Sequence, residues 1–340
     1  MHIAILCPFS RGPARGNLTT VDRISRFLRK CGCRVSLLPL DAPDLAARQE
    51  QLAADPPDLL HAFHAFHAGP AARDLAVRLQ RPYLVTLTGS DLFDPALRDH
   101  QQTRRSVADA VAVTCFDQLV AAQAVQIFNI PHQKLVVIPQ GVEPFHGSTP
   151  LDRPEGAFVI LLPAALRPVK GVDDAIAQLA PLAAQTPGLQ LWIAGGILDK
   201  PYADVLGRMA HEFLWVRLLG EIPRQEMGGY YLAADLVLNS SWFEGGMANA
   251  LLEAMVMGRP ALARAIDGNR SLLQHQKTGW LYADGEELRN LLKMLIQQPG
   301  ERARVGQAAQ ELARFAFSPE RESASLRDLY SRLLETHRRT

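Results

Sequence analysis

The sequence predicts an α/β protein built from two Rossmann-like domains that face each other across a cleft. Short apolar runs rich in Val, Ile and Leu alternate with longer helical patterns. The alternation breaks at a stretch of Pro and Gly and then resumes. Hydrophobic types make up 48% of the 340 residues and charged types 21%, enough apolar material for two buried cores. Continuous apolar strands between helices imply parallel sheets covered on both faces.

The first alternation supplies candidate strands at 2–7, 34–38, 59–63, 83–87, 110–114 and 134–138, with helical stretches such as 20–30 and 71–79 between them. Residues 143–157 hold Pro144, Gly147, Pro150, Pro154 and Gly156 without periodicity, a composition that suits a linker. The second alternation places strands at 158–162, 189–193, 216–219, 236–239, 261–263 and 279–282. The expected division is therefore an N-terminal domain over 1–145 and a second domain over 155–317. Residues 318–340 then form a helix, in which Leu326, Leu329, Tyr330 and Leu333 recur at three- and four-residue spacing.

Composition excludes several function classes. Thirty-six Lys and Arg face thirty-five Asp and Glu, leaving +1, so there is no excess of the kind that marks a nucleic-acid binder. Four cysteines do not make a disulfide scaffold; Cys31 and Cys33 are too close for a CxxC pair, and Cys7 and Cys115 sit in apolar runs, as buried reduced thiols do. No apolar run approaches the roughly 18 residues of a membrane span. The opening Met1-His-Ile-Ala-Ile-Leu-Cys-Pro has no basic region ahead of it and reads as the first strand of a cytoplasmic protein, not a signal peptide.

Chemistry concentrates in two segments. Asn239-Ser-Ser-Trp-Phe-Glu-Gly-Gly-Met-Ala-Asn-Ala-Leu-Leu-Glu-Ala-Met runs from an apolar strand through Gly245-Gly246 into a helix. The first amides of a helix lack intrahelical partners and point along a favourable dipole, so strand, glycine turn and helix start together make an anion site. Glu244 stands at the mouth of the turn and Glu253 lies one to two turns into the helix, where an acid suits sugar or ribose hydroxyls better than phosphate. The other segment is Ala164-Ala-Leu-Arg-Pro-Val-Lys-Gly, which brings Arg167 and Lys170 to the carboxyl end of the second domain's first strand. Ligands bind at that edge in open α/β sheets, and two cations there suit a diphosphate.

In this order the two segments resemble the retaining GT-B glycosyltransferases, the family typified by sucrose and glycogen synthases and bacterial mannosyl- and glucosyltransferases. More narrowly, Leu166-Arg-Pro-Val-Lys, Asn239-Ser-Ser, Glu244-Gly, Leu252-Glu-Ala-Met, Pro260-Ala-Leu-Ala-Arg and Gly268-Asn-Arg look like the glycosyltransferase-1-domain-containing proteins. The likeness implies the GT-B fold and transfer of a sugar from a nucleotide-diphosphate-sugar donor to an acceptor that the sequence does not name. It implies retention of configuration and no bound metal or cofactor. It implies that Arg167 and Lys170 grip the donor diphosphate, Glu253 holds the ribose hydroxyls and Glu244 contacts the transferred sugar. The amides of Met247, Ala248 and Asn249 would face the distal phosphate, and backbone at Glu221 and Ile222 would meet the base. In the first domain the Gly16-Asn17 loop would approach the phosphates, and Ser90-Asp91 would face the cleft. The C-terminal helix would return to the first domain.

The sequence departs from the family pattern twice. Eight residues separate Glu244 from Glu253 where seven are usual, and Thr88 stands where many members carry His. His61, His64 and His67 form a three-residue series beside the third strand, but no carboxylate or Cys accompanies them at metal-ligand spacing; they read as hydrogen-bonded or cleft-facing side chains. His132, His211 and His275 read as surface. Three alternatives stay open: a selenosugar synthase using selenophosphate as nucleophile, a non-hydrolysing sugar-nucleotide epimerase, and a non-catalytic nucleotide-sugar binder.

Overall fold

The structure, a computed structural model, describes residues 1–9 and 16–339, without the side chains of 16, 17 and 339. It divides into two units, residues 1–141 with 318–340, and residues 142–317. Each unit is a doubly wound α/β sandwich around one six-stranded parallel sheet.

The first sheet contains β1 (His2–Cys7), β2 (Arg34–Pro39), β3 (Leu59–Phe63), β4 (Tyr83–Thr86), β5 (Ala112–Cys115) and β6 (Leu135–Val137), in the order β2-β1-β3-β4-β5-β6. Every residue of β1 is buried, because it pairs on both sides and is covered on both faces. Alternate residues go opposite ways. Ala4 and Leu6 enter one core with Leu60, Val85 and Val113, while Ile3 and Ile5 enter the other with Ile24 and Leu28.

That second core includes the last helix, Pro319–Arg339. Its Leu326, Leu329 and Tyr330 are buried against the helix Gly16–Lys30. Burying each such side chain contributes about 1.5–3 kcal/mol. Arg23 and Glu322 join these helices by two hydrogen bonds of 2.9 Å, with both side chains nearly inaccessible.

The second sheet contains β7 (Phe158–Pro163), β8 (Leu189–Ala194), β9 (Val216–Gly220), β10 (Leu236–Asn239), β11 (Ala261–Arg264) and β12 (Trp280–Tyr282), in the order β12-β11-β10-β7-β8-β9. The chain runs outward from β7 to β9, then returns to β10 on the other side of β7. The switch point of the winding lies between β7 and β10, where crevices open at the carboxyl ends of the strands.

Residues 143–157, with the composition of a linker, pack onto the second unit. The Phe145 ring stacks on Tyr231 with centroids 5.7 Å apart, and Arg153 Nη1 reaches Asp235 Oδ2 at 2.6 Å. Pro and Gly there interrupt regular structure, and most of residues 146–156 stay exposed while Phe145 is half-buried. All four cysteines are free; Cys7, Cys33 and Cys115 are buried, and Cys31 is half-buried. Burial pushes the Cys7 thiol up to about 11 and raises Cys33 and Cys115 as well. Among the described residues no helix is long and apolar enough to cross a membrane.

Candidate functional site

The segment after β7 and the segment after β10 meet at the switch point. Ser240 Oγ donates to the Lys170 carbonyl at 2.8 Å, and Trp242 N–H donates to the Val169 carbonyl at 2.9 Å. Gly171 permits the approach. Its φ is +56°, and a Cβ there would lie 2.6 Å from the Ser240 carbonyl oxygen.

This contact joins two side chains far apart in sequence. Lys170 Nζ lies 2.6 Å from Glu244 Oε1. Ser241 Oγ and Asn239 Nδ2 donate to the same oxygen at 2.7 and 3.3 Å. Burial works to raise the Glu244 carboxyl, but Lys170, Ser241 and Asn239 outweigh it and hold the group below its ordinary value. Among the described residues no donor reaches Oε2. Glu244 is thus an oriented carboxylate with one oxygen saturated and the other open, and an ammonium with donors to spare stands beside it.

Beyond Glu244, Gly245-Gly246 lead to the helix Asn249–Val256. Met247 and Ala248 are buried where the chain enters it, and the N-cap Ala248 sets no side chain over its first amides. The turn is braced from below by Gly268, where a Cβ would come within 2.8 Å of Glu244 Cβ and the Gly246 carbonyl. Arg167 is exposed at the start of the turn Pro168–Lys170, and its side chain has no ion pair among the described residues. Glu221 and Ile222 follow β9, the first exposed and the second half-buried.

Glu253 forms a second centre on the same helix. Its Oε1 pairs with Arg224, and its Oε2 accepts from Tyr231 Oη at 2.8 Å. Burial, then the adjacent Glu253 charge, drives the Tyr231 hydroxyl well above its ordinary range, so it stays a donor.

Sequence reasoning missed the partners that hold these acids: Asn239, Ser241, Arg224 and Tyr231. It also missed Arg264, which donates through Nε to the Ser240 carbonyl at 3.1 Å and through Nη2 to Asp174 at 2.5 Å. Its guanidinium lies 3.8 Å from the ring centroid of the exposed Trp242. Asn239, Ser241 and Arg264 do fall inside the quoted motifs. Small polar residues at a strand's last position and just past it are the signal that could have found the first two.

Two family models divide nearly the whole chain. The model described as Glycosyl transferases group 1 matches residues 148–312, and the one described as Glycosyltransferase Family 4 matches residues 1–144. The chain belongs to the group 1 and family 4 glycosyltransferases. It is similar to glycosyltransferase 1 domain-containing protein 1 of Xenopus tropicalis, 32% identical over 148 residues, covering 44% of this chain and 41% of that one. It spans about half the length of the curated relatives it matches. Among solved structures it is similar to sucrose-phosphate synthase from Thermosynechococcus elongatus, with TM-score 0.84 and 18% identity over 98% and 99% of the two chains. It is also similar to HepE from Anabaena in complex with UDP and glucose, with TM-score 0.77 and 18% identity over 97% and 99%. Both likenesses are of fold, and the fold is GT-B.

The first unit treats its expected residues differently. Asp91 does not present a carboxylate. It is fully buried, and its oxygens accept from the backbone amides of Ala65, Gly89 and Thr88 at 2.7, 2.8 and 3.0 Å. It secures the loop after β3, where His64 takes a φ of +93°. His64 Nδ1 accepts from the amides of Phe66 and His67, which leaves Nε2–H to donate to Ser90 Oγ at 2.9 Å. His61 belongs to β3 itself and is buried. Gly16 and Asn17 open the helix Gly16–Lys30 and are not in a loop; the side chain of Asn17 and residues 10–15 lie outside the described residues. His132, His211 and His275 are exposed.

Proposed function

We propose that this chain is a retaining hexosyltransferase that moves a sugar from a nucleotide-diphosphate-sugar donor to an acceptor without a bound metal. The observation that carries the reading is the Lys170–Glu244 pair at the switch point. It sets one cation and one half-open carboxylate beside a helix start. A nucleotide sugar has complementary groups in sequence: a sugar with hydroxyls, a diphosphate, and a ribose with two more hydroxyls.

In this reading Glu244 Oε2 accepts from a hydroxyl of the transferred sugar. Lys170, which spends one of three donors on Glu244, turns another to the diphosphate, and Arg167 adds its fork. The amides of Met247, Ala248 and Asn249 face the distal phosphate. Glu253 accepts from the ribose hydroxyls, since each of its oxygens retains a second acceptor position. Backbone at Glu221 and Ile222 meets the base.

As the bond between the anomeric carbon and the diphosphate stretches, positive charge grows on the sugar ring and negative charge on the leaving group. The cations and the helix start stabilise the leaving group where that charge develops. Attack by the acceptor on the face the diphosphate leaves, with its proton passing to the departing phosphate oxygen, retains configuration and needs no protein nucleophile. The similarity in fold to HepE, which was solved with UDP and glucose, supports a donor of this class.

The test is a thermal-shift panel of nucleotides and nucleotide sugars, followed by transfer and hydrolysis assays. A true donor at 100 times its dissociation constant adds about 2.7 kcal/mol to stability, and Glu253→Gln weakens that gain. If no nucleotide sugar shifts the melting temperature, the reading is wrong. Stabilisation without turnover toward any acceptor, selenophosphate included, would make the chain a binder.

A further inference from the structure

We infer that Arg224 selects the nucleobase by its exocyclic group, favouring the keto oxygen of uracil (O4) or guanine (O6) over the amino group of cytosine or adenine. The inference rests on the donor-site reading above and adds to it a residue with no assigned role.

Arg224 lies in the loop after β9, two residues beyond Ile222, the loop to which that reading gives the base. It meets the helix Asn249–Val256 at Glu253, four residues past its start and about 6 Å along its axis. With the diphosphate at the helix start and the ribose on Glu253, the base comes next, and Arg224 is the charged group already touching the ribose acid.

The guanidinium is held on two sides. The Glu253 carboxylate takes Nη1, and the Phe145 ring centroid lies 5.0 Å from the guanidinium carbon. Phe145 is itself stacked on the fully buried Tyr231, and its amide donates to Met257 Sδ at 3.4 Å. The Arg224 side chain is nevertheless 42% exposed, against 12% for Glu253. A guanidinium carries five N–H donors and no acceptor. Among the described residues Glu253 is the sole hydrogen-bond partner it has, so a planar edge of donors remains unspent.

That edge complements the single keto oxygen O4 of uracil, or guanine O6 together with N7, the pair an Arg fork reads in duplex DNA. Against adenine N6 or cytosine N4 it sets donor against donor. The carboxylate that binds the ribose therefore also aims the group that reads the base.

The experiment measures UDP, GDP, ADP and CDP binding by calorimetry to the full chain and to its Arg224→Gln and Arg224→Lys variants. Either UDP or GDP is expected to bind about tenfold more tightly than both ADP and CDP, and the two arms say which. Both variants should shrink that ratio toward one, because Lys keeps the charge beside Glu253 and loses the fork. A purely structural Arg224 would weaken all four nucleotides alike and leave the ratio intact, which overturns the inference. Tightest binding of ADP or CDP to the parent chain overturns it too. Failure of all four to bind would instead sink the donor-site reading on which it depends.

Discussion

At the carboxyl ends of β7 and β10, Glu244 has three donors on one oxygen and none on the other, and Lys170 beside it keeps part of its surface exposed. At the carboxyl ends of β3 and β4 in the first sheet, Asp91 has both oxygens taken by backbone amides and no exposed surface. Both acids lie at the carboxyl edge of a parallel sheet, Asp91 two residues after Gly89 and Glu244 directly before Gly245-Gly246. One is held by side chains that leave an acceptor free, and the other is consumed in holding backbone. Position in the fold identifies where a ligand can bind; the use made of each oxygen separates a binding acid from a structural one.

The sharpest way to break that comparison is Asp91→Ala. The change strips the amides of Ala65, Thr88 and Gly89 of their shared acceptor inside a closed loop. Each buried group left unsatisfied costs about 1–3 kcal/mol, and partial relaxation makes a total of about 3–5 kcal/mol reasonable. Urea denaturation should show a correspondingly lower midpoint. A variant as stable as the parent would mean that those amides find other partners and that Asp91 is freer than its geometry indicates.

Lys170→Ala is the converse case. If the pair is built for a ligand, turnover should fall by an amount corresponding to about 2.7–4 kcal/mol in the barrier, the cost of losing one preorganised donor to developing charge. The melting temperature should move little, because Lys170 is partly exposed and Glu244 keeps Ser241 and Asn239. Parent-like turnover would remove Lys170 from the mechanism. Collapse of the fold would make it another Asp91.

The sequence was legible to different depths in these regions. Strands buried on both faces read as unbroken apolar runs, so β1, β3 and β10 occupy the residues their composition marks, and the remaining strands shift by a residue or two at their ends. Lys170 and Glu244 were visible because each sits at a strand end beside glycine, a local signal. The arrangement of donors around them was not local. Arg264 meets Asp174 across ninety positions, and Arg224 meets Glu253 across twenty-nine. Asp91 misled for the same reason: nothing near it in sequence announces that the amide of Ala65 will fold onto it. Residues 143–157 show the limit of composition in the other direction, since Pro and Gly mark irregular backbone and are silent about whether Phe145 will be packed.

A smaller effect tests the same distinction through a histidine. His61 Nδ1 lies 2.7 Å from Tyr330 Oη, and its Nε2 lies 2.6 Å from Thr86 Oγ1, inside the core between the first sheet and the last helix. Burial pushes its pKa down to about 3, from 6.5 in an unfolded chain. The folded value is the lower one, so the unfolded chain takes up the proton first. The contribution of His61 is complete above about pH 6.5 and is lost as pH falls toward the folded value, by about 1.4 kcal/mol per pH unit. A His61→Gln variant, less stable at neutral pH, should lose stability more slowly than the parent between about pH 6 and pH 4. The carboxylates that also titrate there are common to both proteins and cancel in the comparison. Parallel slopes for the two would show that the imidazole can be protonated in place, with Tyr330 or Thr86 turning to accept from it. The seam between the first sheet and the last helix would then tolerate a charge that its burial says it should exclude.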